Sequence, residues 1–414
     1  MGQQRALVVG GSLGGLFAAN LLRTIGWDVT VFERARGDLA GRGAGLGTRA
    51  ELFAAMRRIG LTLDGSIGVE TRSRIGLARN GEKMCEVPVR SVVTAWDRVY
   101  GALKAALPAE SYCPGMQLKR FEQDGDRVAA FFVDGSRAEG DLLVGADGIH
   151  STVRRQLMPE LKPHYAGYIA WRGMAKEGDG PASFHPIVCH HMTFCFPHGE
   201  LALSTPMPEP NGHVDPSRRR CHFAWFRPVD SEVTLPRMCT DAAGHCHGDS
   251  IPPPLIRPTL IDELKADAQA LLAPQIAALI TQAEQPVLQA IFDLESPRIA
   301  FGRTILLGDA AFVARPHVGT GVTKAALDAL CLTDALLSTE NHIDVALERY
   351  DRERRRFGQW LVARGRYLGG YLEAQLKPRG QRTAAELHRC PETFMRESGG
   401  VGVIDGDPND PWSW

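Results

Sequence analysis

Two kinds of apolar pattern run along this chain: short unbroken runs, and stretches whose apolar positions recur every three to four residues. Residues 5–9 (Arg-Ala-Leu-Val-Val) predict a buried strand, because nothing after Arg5 suits a wet face. From Leu16 to Ile25 the period is helical, and Gly26 stands where a C-cap glycine ends a helix. Residues 28–33 (Asp-Val-Thr-Val-Phe-Glu) predict a second strand. The same reading predicts helices over 50–60, 96–106, 260–284, 321–338, 344–356 and 357–375, and strands over 128–133, 141–145 and 304–307. Between about 165 and 228 aromatic, apolar and polar residues alternate, which predicts an antiparallel sheet with one wet face. Residues 37–47, with glycine at 37, 41, 43, 45 and 47, predict a loop. Residues 246–259 are a proline-rich connection, and the end (Asn409-Asp410-Pro411-Trp412-Ser413-Trp414) lacks periodicity and reads as loop.

The 414 residues suffice for one large or two medium domains. A formal charge of -1 excludes a partner chosen by bulk electrostatics, so neither nucleic acid nor an anionic membrane is expected. No apolar stretch reaches the length of a membrane span, and the first residues do not read as a signal peptide. The 9 cysteines are scattered without a C-x-x-C pair, which fits free thiols in a cytoplasmic enzyme. His245-Cys246-His247 has no second ligand pair at zinc spacing and reads as a polar loop.

Three motifs carry chemistry. Gly10-Gly11-Ser12-Leu13-Gly14-Gly15 follows a strand and opens a helix. Gly10 permits the tight turn, Ser12 is small enough for a pyrophosphate to approach the backbone, and Gly15 permits close helix–strand packing. Glu33, at the end of the second strand, can accept hydrogen bonds from ribose hydroxyls. The second motif is Asp147-Gly148-Ile149-His150-Ser151-Thr152-Val153-Arg154. The third begins Gly308-Asp309-Ala310-Ala311 and continues through Pro316, Gly319 and Gly321. There Asp309, at a strand end, can accept hydrogen bonds from ligand hydroxyls, Pro316 stiffens the loop, and the glycines let backbone N–H groups approach a ligand at a helix start.

In this order the three motifs resemble those of the single-component FAD-dependent aromatic hydroxylases, with Phe312 standing where that family has histidine. The resemblance spans about residues 5–375 and, at Tyr165–Gly173 and Ala314–Ala326, is nearest to the dihydroxypyridine hydroxylases. It implies an α/β fold of the p-hydroxybenzoate hydroxylase type: a Rossmann-like FAD-binding domain, an antiparallel-sheet substrate domain and C-terminal helices. The implied parts are 1–75, 96–160 and 286–340 for FAD, 76–95 and 161–285 for substrate, and 341–414 for the C-terminal helices and tail. It implies hydroxylation of an activated aromatic or hydroxypyridine-like ring by NADH or NADPH and O₂ through a C4a-hydroperoxyflavin. It also implies a homodimer.

The implied cofactor set is Gly10, Ser12, Leu13, Gly14, Glu33, Arg34, Arg42, Gly43, Ala44, Arg98, Gln117, Asp147, Asp309, Gly319, Thr320, Gly321 and Val322. Arg98 stands near the place where relatives carry an FAD-holding arginine, and Arg154 is expected to pair with acids and support the second motif's turn. Substrate lining is expected from Tyr168, His190, Phe194, Phe196, Ser204, Trp225 and Arg315, with Pro316 and His317 nearest the chemistry and His317 as the proton-transfer group. The rival readings are an oxidase or dehydrogenase of the same fold, and a non-catalytic FAD-binding sensor. A plain NAD dehydrogenase would have no use for the second and third motifs.

Overall fold

The structure is a computed structural model. It describes residues 3–400 except 42, 44, 63–66, 178–180, 182–183, 210–211, 213, 216–217 and 341. Arg42, Ala44 and the tail at 409–414 therefore lie outside the described residues.

A six-stranded sheet runs in the order Ala300–Phe301, Thr304–Leu306, Leu142–Gly145, Arg5–Val9, Asp28–Glu33, Tyr112–Pro114. All its pairs are parallel except the edge hairpin between Ala300–Phe301 and Thr304–Leu306. Helices and a small antiparallel sheet cover its two faces, which explains the unbroken apolar runs: Ala6, Leu7, Val8, Leu142, Leu143 and Val144 are fully buried. The Leu13–Thr24 helix packs beside the Gly321–Ser338 helix, so the first glycine turn and the third motif share one core.

The second large sheet has eight strands, in the order Phe312–Val313, Val287–Glu295, His164–Lys176, Arg220–Pro228, Leu201–Met207, Met192–Cys195, Arg74–Leu77, Lys83–Val87. It is antiparallel apart from the pairing of Met192–Cys195 with Arg74–Leu77. The expected wet face is not there in its middle. Trp171, Phe223 and Trp225 pack under the Pro258–Leu271 and Pro274–Gln282 helices. On the opposite face Tyr168, Ala170, Phe194 and Phe226 pack against Leu361, Leu368 and Phe394. The alternation separates two buried faces rather than a dry one from a wet one, and the polar positions that break the second face open onto a cleft.

Four further differences have physical causes. The helix expected over 260–284 breaks at Leu272–Ala273, where Pro274 starts a new helix without needing an N–H partner. The two helices expected over 344–356 and 357–375 are one, Ile343–Leu376. Gly358 sits at the expected break because the Phe312 ring fills the space a Cβ would take, 2.3 Å away. The Val287–Glu295 strand, expected with the FAD-binding part, pairs with His164–Lys176 in the second sheet. Conversely, Ser91–Ala95, expected in the substrate part, pairs with Gly45–Gly47 and Gly68–Thr71 in a separate three-stranded sheet. Those assignments are set by long-range pairing, which short-range pattern does not carry.

Candidate active site

The three motifs meet at the carboxyl ends of the parallel strands. Gly10 has φ +106°, and a Cβ there would lie 2.4 Å from the Ala146 carbonyl oxygen, beside Asp147. A Cβ on Gly15 would lie 1.8 Å from the Gly10 carbonyl oxygen. Gly14 faces Leu307 and Ala325 of the third motif. Ser12 precedes the Leu13–Thr24 helix with its side chain exposed and uncommitted to capping, leaving the helix start open to an anion. Glu33 is buried and accepts from the Gly11 amide (2.7 Å) and the Ala35 amide (2.8 Å). It braces the glycine turn, with lone pairs left over for a sugar hydroxyl.

Asp147 accepts from the Thr152 amide at 2.6 Å at the start of the short Thr152–Leu157 helix, which Ser151 caps, while its Oδ1 is buried without a partner among the described residues. Burial pushes its carboxyl up, against the pull of the Ser151, Val153 and Thr152 hydrogen bonds. Arg154 is buried and donates to the carbonyl oxygens of Ala310 (3.0 Å) and Ile149. Its hydrogen-bond partners are backbone carbonyls rather than the expected acids, and they tie the second motif to the third.

Asp309 projects from the short turn after Thr304–Leu306 with its side chain 56% exposed. Next comes the Pro316–Val318 turn, closed by Gly319 at φ +61°, and then the Gly321–Ser338 helix. Thr320 is buried, with its Oγ1 unpartnered among the described residues.

A cleft of about 1510 Å³ separates this loop from the second sheet, larger than the roughly 300–1,000 Å³ of a single-ligand site. Arg34, Gly43, Asp309, Pro316, Gly319, Thr320, Gly321 and Val322 of the expected set line it. Arg98 instead turns to the Gly212 carbonyl oxygen at 3.5 Å, and Gln117 is exposed on its strand's approach, its carbonyl accepting from the Val133 amide. The position nearest the expected FAD arginine presents Trp96 to the cleft, with Gly43 packed so closely that a Cβ would sit 2.1 Å from the Trp96 side chain.

The expected substrate residues fare differently. Trp225 points to the helix-covered face and donates Nε1 to Glu200 at 2.8 Å. Ser204 shares that parity, its hydroxyl 2.6 Å from that of Thr193. Phe194 and Phe196 stack 6.0 Å apart against Phe394. His190 lies beyond the sheet near Arg72 and Arg219. Arg315 is committed to Asp293 (3.1 Å) and Glu373 (3.3 Å), so it is not the expected anion-binding group.

His317 is buried behind Pro316, its Nε2 2.9 Å from the Tyr168 hydroxyl and its ring against Phe226 and Phe394. Burial first, then Arg315 and Arg172, pushes its pKa down to about 3, so it is a neutral packing group at neutral pH. Among the polar groups that line the cleft, Arg172, Arg220 and His222 come from the two central strands of the second sheet. Among the described residues the Nε atoms of both arginines and the Nε2 of His222 have no hydrogen-bond partner. Burial and then the Arg172 charge hold His222 at about 3. A charged residue and a histidine at matching parity in otherwise apolar strands were the signal available in the sequence. The His245–His247 segment ends in a His247–Asp241 pair at 2.8 Å, and among the described residues no group of potential metal ligands forms.

Comparison with known proteins bears on this geometry. A family model described as FAD binding domain matches residues 3–175, and one described as FAD binding domain-like matches 165–293. The 2,6-dihydroxypyridine 3-monooxygenase of Paenarthrobacter nicotinovorans is 33% identical over 339 residues, 82% of this chain and 83% of that protein. The solved structure of 2,6-dihydroxypyridine-3-hydroxylase from Arthrobacter nicotinovorans superposes with a TM-score of 0.83 at 30% identity, covering 90% of this chain and 93% of the other. The 3-amino-4-hydroxybenzoate 2-monooxygenase of Streptomyces cremeus is 28% identical, with 84% and 82% covered.

Proposed function

This chain belongs to the FAD-dependent aromatic hydroxylases, and on that premise we propose that it hydroxylates a ring bearing an ionisable hydroxyl, of the hydroxypyridine or hydroxybenzoate class. The observation that carries the substrate reading is the pairing, on one face of the cleft, of the unpartnered Arg172 and His222 nitrogens opposite the Pro316–Thr320 loop. The names of the relatives, a dihydroxypyridine and an amino-hydroxybenzoate monooxygenase, point the same way.

The residues fit FAD. The Gly10 turn has no room for a side chain, Ser12 leaves a helix start open, Asp309 stands exposed, and Thr320 has an orphan hydroxyl. FAD, when bound, supplies the activation of O₂, with electrons drawn from NADH or NADPH. The chain's own groups position and activate the ring. The Arg172 guanidinium favours a deprotonated ring oxygen by charge. The neutral His222 imidazole accepts a hydrogen bond from a ring hydroxyl. An electron-rich, ionised ring is the better acceptor of electrophilic oxygen. Met174 and Pro316 supply apolar walls that exclude water.

The test is NADH or NADPH consumption and product mass across a panel of hydroxypyridines and hydroxybenzoates. The proposal expects substrate-stimulated consumption and a product heavier by one oxygen. Consumption without oxygen incorporation would favour an oxidase, and an unstimulated yellow protein a sensor. R172M is expected to raise KM at least tenfold while FAD stays bound. The homodimer and the cytoplasmic location implied by the family belong to the same proposal. The 9 free cysteines support a reducing compartment, and light scattering tests the dimer.

A further inference from the structure

Lys324 sits in the second turn of the Gly321–Ser338 helix and lines the cleft, yet its side chain is only 1% exposed. Its Nζ has no hydrogen-bond partner among the described residues. The nearest carboxylates are Asp309 at 3.8 Å and Asp328 at 3.9 Å, both beyond hydrogen-bond reach. Asp328 is already satisfied, one oxygen by Arg354 Nε at 2.7 Å and the other by the Gly308 amide at 3.1 Å. Asp309 is more than half exposed and solvated from outside. A buried ammonium with all three donors idle is unfavourable unless something absent from the protein chain satisfies it. An apolar side chain of similar length would otherwise serve this helix better.

We infer that Lys324 is a cofactor-contact residue, whose ammonium donates a hydrogen bond to an acceptor atom of the bound flavin dinucleotide and so favours its reduced, anionic form. The inference rests on the FAD reading above. Its chemistry is that of a fixed positive charge in a water-poor site, beside the positive end of the same helix. Asp309, on the turn facing it, lies 3.8 Å away and does not occupy its donors.

The experiment uses the full-length chain, stripped of flavin and titrated with FAD by fluorescence quenching. Alongside it are measured the flavin midpoint potential and the melting temperature of the apoprotein. For K324M the FAD Kd is expected to rise at least tenfold. The preference for reduced over oxidised flavin should fall about tenfold, a shift of about 30 mV to lower potential. The apoprotein should melt no lower than wild type, because an unsatisfied charge has been removed. K324R should restore part of the affinity and potential, and K324Q gives the same reading if K324M fails to fold. Wild-type Kd and potential in K324M would overturn the inference. So would a lower apoprotein melting temperature with unchanged Kd, the signature of a purely structural ion pair. A wild-type protein that takes up no FAD would instead overturn the cofactor reading itself.

Discussion

The Arg154 guanidinium reaches across 3.0 Å to the Ala310 carbonyl oxygen and joins two segments 156 residues apart in the chain. One is the turn braced by Asp147; the other is the loop that carries Asp309 and Pro316. Buried and charged, this link holds the two ligand-facing turns in register. R154M is expected to lower stability by about 3 kcal/mol, since two carbonyl oxygens lose a charged donor. Flavin should be lost on gel filtration, and urea unfolding together with the 450 nm absorbance of the purified protein checks both.

Gly10 permits neither a side chain nor an ordinary φ. G10A is expected to yield folded but colourless protein, or none, with a loss of at least ~2 kcal/mol. Reconstitution with added FAD, followed by absorbance, is the check; full flavin occupancy in G10A would contradict the cradle.

Arg219 and Glu177 form a two-pronged buried pair, Nε to Oε2 at 2.8 Å and Nη2 to Oε1 at 3.2 Å. R219M removes both of these charged donors from the buried Glu177 carboxylate, with an expected loss of about 3 kcal/mol. Replacing both by apolar residues should recover much of it. Thermal unfolding of the single and double variants measures the difference.

His222 and His317 are both held at about 3, against an ordinary 6.5. The unfolded chain therefore binds protons near pH 6.5 that the folded protein refuses until about pH 3. Their contribution to stability is fully present above pH 6.5 and is lost progressively as pH falls from there towards 3. Melting temperature measured from pH 8 down to 5 should fall on the acid side. H222Q and H317Q should each flatten that limb, and unchanged slopes in both would refute the assignment.

Asp309 is exposed to the cleft and accepts no hydrogen bond among the described residues. D309A is expected to weaken FAD at least tenfold and, because it removes the carboxylate 3.8 Å from the buried Lys324 ammonium, to cost the apoprotein about 1 kcal/mol. Calorimetric titration with FAD decides it.

What the sequence determined was local. Gly10 and Gly26 adopt positive φ as their positions demanded, the Arg5–Val9 and Asp28–Glu33 strands fall where the apolar runs placed them, and the Trp96–Ala106 helix has the expected limits. Each depends on residues a few positions apart, so short-range periodicity suffices. What only the tertiary structure decided was which side of each strand would meet the cleft. Trp225 and Ser204 belong to the helix-covered face and Arg172 and His222 to the open one, a matter of parity set by pairing with distant strands. It also decided that Arg315 would be neutralised by Asp293 and Glu373, that His317 would be sealed behind Pro316, and that Lys324 would be buried facing the cleft with no hydrogen-bond partner among the described residues. Those outcomes depend on burial and charge pairing between segments far apart in the chain, and burial is a property of the assembled fold, not of any stretch of it.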